Sequence, residues 1–133
     1  MQLAVMPGGF AVCRLATLDE AIAVVGRAAP VFLGVTADEI SLVCPSPAVP
    51  PSAVAVEDGW TLLKVAGPLD FALTGIIAQL SQTLAAANIP VFVVSTYQTD
   101  YLMVKTNRLE DAVKALTKAG HNITAADGTP GLL

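Results

Sequence analysis

Apolar and polar positions follow two distinct rhythms along the back half of the chain. Residues 59–67, GWTLLKVAG, form a short run of Leu, Val and Trp closed by Gly-Pro, which predicts a strand. Over residues 68–88 the period changes. Leu69, Leu73, Ile76, Ile77, Leu80 and Leu84 recur mainly at spacings of three and four, which predicts one helical stripe. Pro68 fits a first helical turn, Asp70 suits the positive end of the helix dipole, and Asn88 marks the exit. The continuous apolar run IPVFVVST predicts a buried strand, and DYLMVKT the next one. Asn107 is placed to cap a second helix, with Glu110 three residues on as its capping-box partner. Leu109, Val113 and Leu116 make its inward face. Glu110 and Asp111 in the first turn, with Lys114 and Lys118 near the end, follow the macrodipole, and Gly120 stops the helix. HNITAAD predicts a short last strand. The order strand, helix, strand, strand, helix, strand predicts an α+β fold of the ferredoxin-like type (βαββαβ), an antiparallel sheet with both helices on one face.

The front half reads as an abbreviated copy of the back. Pro30-Val31-Phe32 recurs as Pro90-Val91-Phe92, an offset of 60, and Leu18-Asp19 recurs as Leu69-Asp70, an offset of 51. The difference falls where the helix belongs, so the front helix is expected to be shorter. VFLGVTADEISLVC then matches VFVVSTYQTDYLMV as strand, polar turn, strand. The proline-rich stretch from Pro45 to Ser52 is expected to be a stiff link between the halves. The expected organisation is an abbreviated unit over residues 1–52 and a full unit over residues 53–133.

Composition narrows the function. Charged residues make up 14% of the chain and apolar ones 54%, a balance that folds rather than stays disordered. The net charge is −4, and the seven Lys and Arg residues are scattered, which disfavours nucleic acid as a partner. The strands VFVVS and YLMVK also lack the aromatic and basic display of RNA-binding sheets. The longest apolar run, residues 21–35, is interrupted by Arg27 and Pro30, so no membrane span is expected. MQLAVMPGGF lacks the basic start and apolar core of a secretory signal. Cys13 and Cys44 sit in apolar contexts and are expected to be buried thiols in a reducing cytoplasm.

Catalytic chemistry finds little support. His121 is the one histidine, read as a solvent-exposed loop residue, and it leaves too few ligands for zinc; no cofactor is expected. Cys13 has no nearby base in sequence. Asp70 and Asp100 make a carboxylate pair only if the fold joins them; otherwise they serve a helix dipole and a strand-end turn. A small-molecule site is better supported. Gly67-Pro68 leaves backbone N–H groups free at an expected helix N-terminus, where a carboxylate is attracted. The crossover places Ala66-Gly67 at the same sheet end as Ser95-Thr96, so that end and Asp100 can surround a zwitterion.

These residues carry a resemblance. The segment from VAGPLDFALTG through KALTKAG resembles an ACT domain, the amino-acid-binding regulatory module attached to enzymes such as aspartate kinase. IPVFVVSTYQTDYLMV is especially similar to the corresponding segment of CASTOR-type arginine sensors, and the front half with its GVTADEISLVCP hairpin resembles the start of those proteins. The resemblance implies a ligand site between neighbouring ACT units. By position it falls on Gly67, Pro68, Leu69, Asp70 and Phe71, with Val94, Ser95 and Thr96, and Asp100 ranked last.

The expectation is a cytoplasmic, non-enzymatic regulatory module that binds a small amino acid at an ACT–ACT interface. Each half is small, and a mean hydropathy of +0.66 leaves apolar area for a partner, so a homodimer is expected. Any regulated protein is a separate chain. The alternative is a protein-interaction or oligomerisation module whose ligand pocket is vestigial.

Overall fold

A computed structural model of the chain describes residues 1–67 and 74–125. Among these, eight strands and three helices follow in the order β1 (Gln2–Val5), β2 (Phe10–Leu15), α1 (Leu18–Val25), β3 (Phe32–Val35), β4 (Ile40–Pro45), β5 (Ala55–Val65), α2 (Ile76–Ala86), β6 (Phe92–Ser95), β7 (Asp100–Lys105), α3 (Leu109–Lys118) and β8 (Asn122–Ala125). Short 3-10 turns at Ser46–Ala48 and Thr106–Arg108 follow β4 and β7. The chain divides into two compact units, Gly8–Trp60 and Met1–Pro7 with Thr61–Leu133.

In Gly8–Trp60 the strand order is β3-β4-β2-β5, using the first part of β5. Every pairing is antiparallel, with Phe32 opposite Val43, Cys13 opposite Leu42 and Cys13 opposite Val56. Thr17 and Glu20 cap each other's backbone at the start of α1, which satisfies donors the helix cannot pair itself. Ala21 and Val24 then pack on Cys13, Leu15, Leu42 and Cys44. In the other unit the second part of β5 lies between β1 and β7, with β6 beyond β7 and β8 beyond β1. β1 runs antiparallel to β5 and parallel to β8. Leu80 and Leu84 of α2 and Ala112 and Leu116 of α3 close over Leu3, Leu63, Val65, Leu102 and Val104.

The two units share one plan. The β3–β4 hairpin pairs Phe32 with Val43 and Val35 with Ile40; the β6–β7 hairpin pairs Phe92 with Met103 and Ser95 with Asp100, the same register displaced by 60 residues. The turns match bond for bond. The Thr36 amide donates to the Glu39 carbonyl at 3.0 Å, and the Thr96 amide to the Thr99 carbonyl at 2.8 Å. Each threonine hydroxyl donates to that same carbonyl and accepts the amide three residues on. The front helix is the shorter, 8 residues against 11.

The observed units differ from a division at residue 52. β1 pairs within the back unit, while residues 55–60 complete the front sheet, because β5 is long enough to serve both. The proline-rich stretch is accordingly the crossover from β4 to β5 inside the front unit, in the place that α3 takes in the back unit. One residue explains the difference. Val49 and Leu109 stand at equivalent positions and share φ −60°, but ψ is 125° at Val49 and −44° at Leu109. Pro50 follows Val49, and a residue before proline is pushed out of the helical region. Val49 therefore cannot begin a helix as Leu109 does.

Three local expectations are corrected. The helix expected from residue 68 starts at Ile76, because Gly75 before it has φ +77°, a left-handed conformation through which no helix runs. Leu69 and Leu73 lie outside the described residues. Asn107 sits in a 3-10 turn and does not cap α3, whose N-cap position is Arg108; Glu110 instead pairs with Lys114 at 3.1 Å. His121 is buried, not an exposed loop residue: Gly120, at φ +98°, ends α3 and turns the chain inward.

The His121 Nδ1 accepts from the Met1 ammonium at 2.8 Å, and its Nε2 is buried without a hydrogen-bond partner among the described residues. Burial, then the neighbouring ammonium, hold the imidazole pKa below its ordinary 6.5. The unfolded chain therefore takes up this proton first as pH falls. The contribution is complete above pH 6.5 and is lost as pH drops from there through the folded-state value. Urea unfolding at pH 7 and pH 5 is expected to show lower stability at pH 5, with a smaller pH effect in His121→Gln. An equal pH effect in parent and variant would place the titrating group elsewhere.

Candidate functional site

The exit of β5 and the β6–β7 turn lie at one end of the back unit's sheet. The Thr99 hydroxyl donates to the Val65 carbonyl at 2.6 Å, and Thr99 is itself buried. Gly67 follows two residues later. A Cβ there would lie 3.0 Å from the Thr99 Cβ and 3.1 Å from the Gln98 carbonyl oxygen, a tight approach that favours glycine. The strand exit and the hydroxyl-rich turn are thus together, as the crossover topology requires.

The individual side chains are committed as follows. Val94 is half-buried and pairs with Tyr101 across the hairpin. Ser95 is exposed and donates its hydroxyl hydrogen to Asp100 Oδ1 at 2.6 Å. The exposed Thr96 spends its hydroxyl on the Thr99 carbonyl at 3.1 Å. Asp100 sits opposite Ser95 as its acceptor. Pro68, Leu69, Asp70 and Phe71 lie outside the described residues. The amides expected at Gly67-Pro68 are not those of α2, whose N-terminus is at Gly75 and Ile76.

The front unit holds a cavity of about 330 Å³ at the equivalent place, lined by Arg14, Leu15, Ala16, Thr36, Ala37, Asp38, Glu39, Ile40 and Val54. Leu15 and Ala16 correspond to Ala66 and Gly67 at the offset of 51, and residues 36–40 correspond to 96–100 at the offset of 60. The chemistry differs between the copies. Glu39 stands where Thr99 ties the back unit's turn to its strand, and the lining includes one basic residue, Arg14, with two acidic ones, Asp38 and Glu39. Sequence reading passed over Arg14, Asp38 and Glu39; the two repeat offsets, applied from the back half to the front, point to them.

Cys13 and Cys44 are buried in the front unit and share a hydrogen bond. Burial, then the neighbouring Cys13, push the Cys44 thiol up to about 12, and burial raises Cys13 as well. Both stay protonated at neutral pH, which suits packing and not nucleophilic attack. Among the described residues no cluster of three His, Cys, Asp or Glu is placed to hold a metal ion, and no helix is long and apolar enough to cross a membrane.

The contact between Gly67 and the turn makes a specific demand. Thr99→Val keeps shape but orphans the Val65 carbonyl, and is expected to cost about 1–3 kcal/mol. Gly67→Ala presses a methyl group against the Thr99 side chain and the Gln98 carbonyl oxygen and is expected to cost about 1 kcal/mol. Urea midpoints measure both; unchanged midpoints would mean the strand exit is not held against the turn.

Comparison with known proteins follows this geometry. A family model described as ACT domain matches residues 55–118. The crystal structure of protein Atu0741 from Agobacterium tumefaciens is similar at a TM-score of 0.82 and 33% identity, covering 92% of this chain and 90% of that one. The regulatory subunit of aspartate kinase from Thermus thermophilus, in a ligand-free form, is similar in fold at a TM-score of 0.62 and 10% identity, over 89% of this chain and 97% of that one. A structure of aspartokinase alpha and beta subunits gives a TM-score of 0.62 at 13% identity, over 90% and 97% of the two chains. With the repeated hairpins and strand orders, these likenesses lead to one assignment: the chain belongs to the ACT-domain family, as two tandem ACT-like units.

Proposed function

We propose that this chain is a non-enzymatic, cytoplasmic regulatory module that binds a small amino acid at the strand ends of its ACT units, forms a homodimer and acts on a separate protein. The observation that carries the ligand reading is the front-unit cavity. Arg14, Asp38 and Glu39 are all among the residues that line it. A cation for the ligand's carboxylate and anions for its ammonium are what a zwitterion requires. In the back unit the proposed site comprises Gly67, Pro68, Leu69, Asp70, Phe71, Val94, Ser95 and Thr96, with Asp100 last. Its support is the meeting of strand exit and turn, together with the family's regulatory fold.

A second reading has its own observation. Ser95, Thr96 and Thr99 already spend their hydroxyls inside the hairpin. A back-unit pocket whose polar groups are so engaged suits an interaction module that keeps the family's fold without its ligand.

Thermal unfolding against each of the twenty amino acids separates the two. A ligand at 100 times its Kd adds about 2.7 kcal/mol of stability, a readily measured rise in Tm. The expected result is a shift with one amino acid or one chemical class. Loss of that shift in Arg14→Ala would put the site in the front unit, and loss in Ser95→Ala would put it in the back unit. A shift that survives both substitutions would place the ligand elsewhere. No shift with any amino acid at millimolar concentration would leave the interaction module.

A further inference from the structure

We propose that Cys13 and Cys44 form a binding site for a single soft monovalent cation of the Cu+ type, held between their two sulfurs. Cys13 on β2 lies opposite Leu42 on β4, and Cys44 lies two residues on from Leu42. Side chains alternate along a strand, so Cys13, Leu42 and Cys44 share one face of the sheet. The two cysteines are therefore diagonal neighbours, and their thiols share a hydrogen bond. Both are buried, at 3% and 0% exposure, in the cluster that Ala21 and Val24 of α1 complete.

This arrangement selects among the chemistries open to a thiol pair. Diagonal positions on neighbouring strands sit about 7–8 Å apart at the backbone. A disulfide holds its Cα atoms closer than about 7 Å, so direct oxidation would have to move a strand. An ion between the sulfurs, about 2.3 Å from each, spans the longer gap. Zinc takes four ligands, and among the described residues no third His, Cys, Asp or Glu joins the pair. The cluster is otherwise Leu15, Ala21, Val24 and Leu42, whose side chains offer no nitrogen or oxygen donor to a hard cation. Of the metals that thiolates favour, a two-ligand site suits the monovalent one.

The repeat shows that sulfur is not a demand of the fold. At the offset of 60, Cys44 corresponds to Val104, which is buried in the core of the back unit. The chain has two cysteines, and both stand in the same cluster of the front unit. Binding exchanges protons for metal. Each thiol releases its proton to solvent, both sulfurs bond to the ion, and the complex carries one net negative charge. Arg27 is near enough to Cys44 to favour its ionised form, against the opposing pull of Asp58. The ion has to displace both protons, so affinity rises with pH. Entry is from the side of β5, where Val56 lies opposite Cys13 and is 46% exposed.

Titration of the full chain with Ag+ in chloride-free buffer, a redox-silent stand-in for Cu+, tests the site. One ion per chain is expected to bind, with release of two protons, ultraviolet thiolate-to-metal absorption and a rise in Tm of several degrees. The rise is the deciding readout, because an unfolded chain also captures Ag+ on its free thiols, and capture of that kind lowers Tm. Cu+ without oxygen is expected to act as Ag+ does, and Zn2+ to leave Tm unchanged. Cys44→Val, which copies the residue of the back unit, and Cys13→Ala are each expected to keep the fold and lose the rise. A fall in Tm with Ag+, two ions per chain, or a rise that survives either substitution overturns the proposal. The proton count and the parent's own Tm decide the matter even where a variant fails to fold.

Discussion

The back unit turns on the contact between a strand exit and a hairpin tip. Thr99 gives its hydroxyl hydrogen to the Val65 carbonyl, and Gly67 lets the chain pass Gln98 and Thr99 closer than a side chain ordinarily allows. This contact fixes where β5 ends relative to the β6–β7 turn, and with it where a ligand could meet the sheet. The front unit lacks it: Glu39 stands in place of Thr99, Ala16 in place of Gly67, and a cavity lies beside the turn. The same backbone plan thus sets a hydroxyl-tied turn at the strand end of one copy and a cavity lined by charged residues at that of the other.

A second constraint is a single dihedral angle. Val49 and Leu109 enter their crossovers with the same φ, and the proline after Val49 keeps that residue out of the helical region. The consequence spreads beyond the crossover. The back unit buries its core beneath two helices, with Leu80, Leu84, Ala112 and Leu116 all enclosed. The front unit has one helix and a core that leans on Ala48, Val49 and Ala53 of the proline-rich segment instead. Its helix is left with an apolar side that has no helical neighbour within the unit.

Much of this was legible in the residues. The alternation and spacing of apolar positions in a sheet or helix follow from its own geometry, so β5 to β8 and the core faces of α2 and α3 could be read directly. The matched hairpins were visible because register is written locally, in the turn threonine and the strands either side of it. The capping pair Thr17 and Glu20 was passed over in the sequence, although both partners lie in one turn. The misreadings have physical causes. Gly75 adopts a left-handed conformation that an apolar stripe does not reveal, so one helix was drawn too long. His121 looked exposed because its neighbours are polar and glycine, whereas its burial depends on β1 arriving from the far end of the chain.

By itself the sequence determined the rhythm of strands and helices, the internal repeat and the resemblance to ACT domains, because these rest on contacts between near neighbours. Tertiary structure alone decided which residues share a unit. Pairing across roughly 40 to 60 residues sends β1 to the back sheet and the start of β5 to the front one. It also decided that Arg14, Asp38 and Glu39 line one cavity, while the exposed Ser95 and Thr96 spend their hydroxyls within their own hairpin. Hydrogen-bond partners and cavities are set by what the folded chain brings together, and no local pattern encodes that meeting.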